Sequence, residues 1–136
     1  MEDCIFCKIV KGESPSTKVY EDEEVLGFLD TNPVNIGHSL VIPKKHFINI
    51  YDTPDEVLGS MIKAAKTVSK AIKKELKADG VNVTMNSDPA AGQIVFHSHL
   101  HVIPRITSDG FNLWHGRRPY KEGEASEIGQ KISSSL

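Results

Sequence analysis

The sequence has no run of apolar residues long enough to cross a bilayer, no internal repeat, no surplus of either charge, and only two cysteines. Each shortage removes a class of function. Lys and Arg number 16 and Asp and Glu 18, interspersed along 136 residues, for a net charge of −2. That is not the electrostatic footprint of a duplex nucleic-acid binder or of a protein lying on a membrane surface, so neither partner is expected. A local cluster can still hold a small anion. The start, MEDCIFCKIVK, is acidic and its apolar run breaks within a few residues; it fits neither a signal peptide nor a membrane span, and a cytoplasmic location is expected. In a reducing compartment the single C-x-x-C, Cys4 and Cys7, points to a metal site more than to a disulfide.

What is present is enough for one domain with a real core, since a chain of this length buries about two thirds of its unfolded surface. Thr17 to Tyr20 and Val25 to Leu29 read as a hairpin around the acidic EDEE, and His38 to Pro43 as a third strand stopped by its proline. The segment from Thr53 reads as a long helix, with Thr53 as N-cap, Pro54 at the first helical position and Glu56 completing a capping box. Its apolar stripe is Val57, Met61, Ala64, Ala65, Val68, Ile72 and Leu76, Gly80 is the expected stop, and the lysine-rich face is left to solvent. VNVTMN alternates as a fourth strand, SDPAAG turns, and QIVFHSHLHVIP is the longest strand signal. The pattern predicts an α+β fold, a five-stranded antiparallel sheet with one long helix packed on it. Residues 1–107 form the expected core and 108–136 a tail packing on the core or on a partner. In that tail Trp114 is expected to dock, His115 to be a loop residue without a role, and Ile128, Ile132 and Leu136 to share one face of a short helix.

In an extended strand His97, His99 and His101 fall on one face, with Phe96, Leu100 and Val102 on the other. Three unpaired imidazoles in register are costly to bury without a use. One use is a metal cage, although three rings two residues apart on a flat strand converge poorly on one ion. The other is nucleophilic catalysis at phosphorus: a neutral imidazole attacks, a neighbour binds phosphate oxygens, and a carbonyl fixes the nucleophile's tautomer. Just upstream, Gly92 allows backbone to approach a ligand and Gln93 offers two amide hydrogens.

HSHLHVI resembles the signature of the histidine triad (HIT) family, and CIFCKIVKGESP, FLDTNPVNIGHSLVIPKKH and NSDPAAGQIVFHSHLHVIPR resemble its Hint-like, small prokaryotic branch in order and spacing. The resemblance runs from about Cys4 to Arg105. It implies a homodimeric α+β protein that binds a purine nucleoside monophosphate or a derivative and hydrolyses phosphoramidate, acyl or anhydride bonds at the α-phosphate through a nucleotidyl-histidine. By position it implies His99 as nucleophile, His101 against the phosphate and His38 backing the site. It further implies Asp30 on the ribose, Ile5, Phe6, Ile9, Phe28 and Leu29 around the base, and Asn86, Gly92 and Gln93 at the phosphate. For Cys4 and Cys7 it implies a structural zinc completed by His46 and His97. Two positions depart from the pattern. Ile94 stands where phosphoramidase-type members often carry a hydroxyl, and Ser98 where an apolar residue is usual. A dinucleoside polyphosphate hydrolase or nucleotidyl transferase, and a non-catalytic nucleotide- and zinc-binding regulatory module, are the alternatives.

Overall fold

The computed structural model describes residues 3–114 and 116–136, so the role expected for His115 lies outside the described residues. The five strands, β1 (Lys18–Glu21), β2 (Val25–Leu29), β3 (Ser39–Pro43), β4 (Gly80–Thr84) and β5 (Leu100–Arg105), form one sheet. Their order is β1-β2-β3-β5-β4, and every neighbouring pair is antiparallel. The expected α+β architecture is therefore present.

The two-residue period of the strands divides the core. Val25, Val41, Leu100 and Val102 face one way and pack on the long helix α2 (Asp55–Glu75) through Val57, Met61, Ala64, Ala65, Val68 and Ile72. Leu26, Phe28, Leu40 and Ile42 face the other way, against Phe6 and Ile9 of a short helix α1 (Ile5–Val10). Leu40 lies opposite Phe28 on β2 and opposite His101 on β5, so one cross-strand row carries the apolar floor straight to a triad histidine. Thus α2 fills one face of the sheet and leaves the other face, roofed by α1, for chemistry.

Several details differ from the expectations. The helix starts at Asp55 with Pro54 at the cap and no side-chain cap bond, because the buried Thr53 hydroxyl donates to the Asn49 carbonyl at 2.6 Å. No capping box forms. The helix stops at Glu75, with Lys77 in the left-handed region (φ 57°), and Gly80 opens β4 instead of ending the helix. The last strand begins only at Leu100: ahead of it Ser98 N–H donates to the Phe47 carbonyl at 2.7 Å, so this stretch is tied to the 46–49 loop and not to the sheet. Phe96 is accordingly exposed and does not share the packed face with Leu100 and Val102. Helix α3 (Glu124–Ser133) forms at the expected place but buries none of its residues, and Trp114 is 76% exposed, so neither docks on this chain's own core. No helix among the described residues is long and apolar enough to cross a membrane.

Candidate functional site

Helix α1 was not legible as a helix, yet it builds half of the site. Cys4 is its N-cap and its sulfur accepts the Cys7 N–H at 3.4 Å, an arrangement that puts both thiols at one helix end. The C-x-x-C therefore opens a helix. The signal was available in Phe6, Ile9 and Val10, spaced for one helix face.

The sulfurs face two imidazoles. Cys4 Sγ lies 3.4 Å from His97 Nδ1, Cys7 Sγ 3.3 Å from His46 Nδ1 and 3.6 Å from His97 Nδ1, and the two nitrogens are 3.2 Å apart. Tetrahedral zinc bonds of about 2.3 Å to sulfur and 2.0 Å to nitrogen give donor-to-donor edges of roughly 3.3–3.8 Å, which these distances match. The tautomer fits as well. His97 Nε2 lies 2.8 Å from the Pro43 carbonyl, which only accepts, so Nε2 carries the hydrogen and Nδ1 turns a lone pair to the cluster. Burial, with His46 and His99 nearby, holds the His97 imidazole down at about 4, so it stays neutral as a ligand must. Burial, with Cys4 beside it, raises the Cys7 thiol. The four expected donors are thus assembled in a set that fits zinc.

His99 comes next along the chain and uses the backbone of the same residue. Its Nδ1 donates to the His97 carbonyl at 2.7 Å, which leaves Nε2 with a free lone pair. The ring is buried at 6% exposure and stands edge-on to Phe6 at 5.3 Å. Burial lowers its pKa, partly opposed by the carbonyl bond and by Asp30, and so favours the neutral, nucleophilic form.

A second chain of bonds fixes His101. Val34 N–H donates to His38 Nδ1 at 3.0 Å; the remaining hydrogen of His38, on Nε2, then points at His101 Nδ1, 2.9 Å away. His101 must carry its own hydrogen on Nε2, free to meet an oxygen in the cleft. Burial, with His99 and His38 beside it, holds His101 at about 4, and burial also lowers His38. The turn that aims Val34 is held by Asn35, whose carbonyl accepts His38 N–H at 3.0 Å and whose amide donates to Pro104 O at 2.9 Å and Asp109 at 3.0 Å. Asp30 closes the same turn: its N–H bonds the His38 carbonyl at 2.9 Å and its carboxylate lies 3.6 Å from His38 Nε2.

These rings open on a cleft of about 730 Å³, within the range of small-molecule sites. Ile5, Phe6, Ile9, Phe28 and Leu29 line it as expected, with Asp30, Asn86, Gly92, His99 and His101. Leu40, Val95, Ile94 and the polar Ser14, Ser16, Thr31 and Asn32 also line it and were not anticipated as a wall, since nothing in their local sequence distinguishes them from loop and core. Gly92 closes a 3₁₀ turn (Pro89–Ala91) at φ +91°, a conformation that suits glycine.

Gln93 is a correction. It is buried, both amide hydrogens are committed, to Ile48 O at 2.7 Å and Val95 O at 3.1 Å, and its oxygen accepts from Asp88 N–H at 2.8 Å and the Asn49 amide at 3.3 Å. No hydrogen is left for a phosphate; the residue shapes the loop that carries Asn86, Gly92 and Ile94. Ser98 is also turned away, its hydroxyl 3.9 Å from Met85 Sδ on the packed side.

A buried nucleophile-type imidazole, a second imidazole held as a donor, and an apolar slot ending in a carboxylate mark the site of a histidine triad protein. The HIT domain profile matches residues 11–108, and the chain belongs to the HIT family. It is similar to a HIT-family protein from Bacillus subtilis, whose crystal structure superposes with a TM-score of 0.91 at 43% identity, covering 98% of this chain and 97% of that one. It is similar, at 48% identity over 107 residues, to the protein named Adenylylsulfatase HINT3 from Arabidopsis thaliana; the match covers 79% of this chain but only 54% of that longer protein. A zinc-bound histidine triad family protein from Mycobacterium smegmatis superposes with a TM-score of 0.78 at 39% identity, each chain 99% covered.

Proposed function

We propose that the chain is a nucleotide hydrolase that cleaves at the α-phosphate of purine nucleoside phosphoramidates or acyl or anhydride derivatives through a nucleotidyl intermediate on His99. The observation that carries it is the 2.7 Å bond from His99 Nδ1 to the His97 carbonyl, which frees Nε2 toward the cleft. In the first step the Nε2 lone pair forms a bond to phosphorus while the bond to the leaving group breaks. The adduct's ring is cationic, and the His97 carbonyl stabilises the hydrogen left on Nδ1. Water then displaces the ring and the nucleoside monophosphate leaves. His101 Nε2–H supports a phosphate oxygen throughout, backed by His38. Asp30 accepts from ribose hydroxyls at one end of the apolar slot, where Ile5, Phe6, Ile9, Phe28 and Leu29 take the base. Asn86 and the backbone at Gly92 face the phosphate.

Cys4, Cys7, His46 and His97 would hold a structural zinc, a reading supported by their donor spacing and by the zinc-bound relative. Bound there, the ion supplies rigidity, not chemistry on the substrate. A homodimer is part of the same proposal, supported by the open edge of β4 and by Ile128, Ile132 and Leu136 of the tail, exposed by 36%, 61% and 101%.

The test is turnover against binding. His99→Ala should abolish hydrolysis of a fluorogenic adenosine derivative while AMP still binds; an inactive wild-type protein that binds AMP normally would favour a regulatory module instead.

A further inference from the structure

We propose that, among the bonds named above, this cleft favours those whose leaving group departs as a stable oxyanion, a sulfate, a carboxylate or a phosphate, and turns over those joined to an amine through nitrogen much more slowly. The proposal rests on the reading of His99 as a nucleotidyl-accepting group and concerns which bond that group can break.

The difference between the two bond types is a proton. When His99 Nε2 bonds to phosphorus, the electron pair of the broken bond goes to the leaving atom. A sulfate, carboxylate or phosphate oxygen keeps that pair unprotonated at neutral pH. An amine nitrogen cannot, and must receive a proton as the bond breaks.

The groups beside His99 offer no such proton; the lining hydroxyls, Ser14, Ser16 and Thr31, belong to the segments after the first helix and after Asp30. The segment beside His99 lines the cleft with Asn86, Gly92, Ile94 and Val95, none of which is an acid. Ile94 is 86% exposed and belongs to neither core cluster, so its apolar side chain is presented at the opening and not used in packing. The hydroxyl of the intervening Ser98 is buried against Met85, on the other side of the chain.

His101 is the imidazole next to the nucleophile, and its wiring disqualifies it as an acid. To act as an acid it would need hydrogens on both nitrogens, but His38 already points its Nε2 hydrogen at His101 Nδ1 across 2.9 Å. His38 cannot yield by changing tautomer, because its Nδ1 receives the Val34 N–H at 3.0 Å. The groups facing the pair are Asp30, 3.6 Å from His38 Nε2, and His99, whose ring centroid is 5.0 Å from that of His101. The single carboxylate does not relieve the clash between two hydrogens. Burial and the two neighbouring rings, which hold His101 at about 4, act in the same direction. A neutral imidazole N–H can hydrogen-bond an oxygen, yet losing its hydrogen would leave an imidazolate. His101 is therefore a donor to charge that already exists and not a source of protons.

The test compares adenosine 5′-phosphosulfate, acetyl adenylate and an alkylamine adenosine 5′-phosphoramidate as substrates of the full chain at pH 7, with kcat and KM measured separately, for wild type and Ile94→Ser. Positioned acids are worth typically 10²–10⁴-fold, so the wild type should turn over the amidate at least ~100-fold more slowly than the two oxyanion donors at similar KM. Ile94→Ser places a hydroxyl at the opening and should narrow the amidate-to-sulfate ratio in kcat by about tenfold or more. Amidate turnover within ~10-fold of phosphosulfate, or a ratio unmoved in a folded Ile94→Ser protein, overturns the proposal. Failure of all three substrates overturns the nucleotidyl-histidine reading on which it stands, a result distinct from rapid turnover of all three.

Discussion

The carbonyl of His97 accepts the Nδ1 hydrogen of His99 at 2.7 Å, while the His97 ring faces Cys4, Cys7 and His46. One residue thus belongs to both centres: its side chain completes the Cys/His cluster and its backbone sets the tautomer of the proposed nucleophile. Whatever fixes His97 fixes His99.

Losing the nucleophile should be severe. His99→Ala is expected to lower kcat by about 10⁴-fold or more, the scale seen when covalent nucleophiles are removed. Calorimetric binding of AMP should stay within about tenfold of wild type.

Asp30→Asn should act on affinity instead. The loss of a charged acceptor for ribose hydroxyls is worth about 1–3 kcal/mol, and should appear mainly in KM, with kcat changed far less than in His99→Ala. Equal kcat losses in the two variants would contradict the division of roles.

Metal analysis of protein purified without chelator should find one zinc per chain, and chelation should lower the melting temperature, because ligand-set binding energy is folding energy at such sites. Cys7→Ser should reproduce the loss. Metal-free protein that melts unchanged after chelation would remove zinc from the account.

Acid has two predicted effects. His99 must be neutral to attack and burial holds it below the ordinary value of 6.5, so kcat/KM should persist to lower pH than a free imidazole allows and then fall as the ring is protonated. A rate rising steadily toward pH 5 would contradict neutral His99. For stability, the folded pKa of His101 is about 4 and the unfolded value near 6.5, so the unfolded chain binds more protons between them. The contribution is present above pH 6.5 and lost as pH falls toward 4; melting temperature measured against pH should show that slope, flatter in His101→Asn.

Gln93→Glu should be destabilising by about 1–3 kcal/mol, because it turns acceptors toward the Ile48 and Val95 carbonyls in a buried site. Unchanged stability with a raised KM would return Gln93 to the phosphate.

Much of this was legible in the sequence because it rests on periodicity. The apolar stripe Val57 to Ile72 located the long helix, and β-rich runs bounded by the acidic EDEE and by Pro43 located the strands VLGFL and SLVIP. Cys4 and Cys7 were legible from their spacing, but their partners His46 and His97 only through the family pattern, since Cys7 and His46 are 39 positions apart. Other features were set by contacts no local pattern records. Thr53 lost its capping role to Asn49 O, Gln93 was claimed by the 48–49 loop, and the triad strand was shortened by Ser98 bonding to Phe47. Asn35, which aims the Val34 hydrogen at His38 while anchored to Asp109, was invisible for the same reason.

The proposed reaction turns on a covalent bond between His99 and the nucleotide. Enzyme mixed with an adenylyl donor, quenched in alkaline denaturant during turnover and mapped by mass spectrometry should carry one AMP on His99. Steady turnover with the adduct on another residue, or undiminished in His99→Ala, would contradict it.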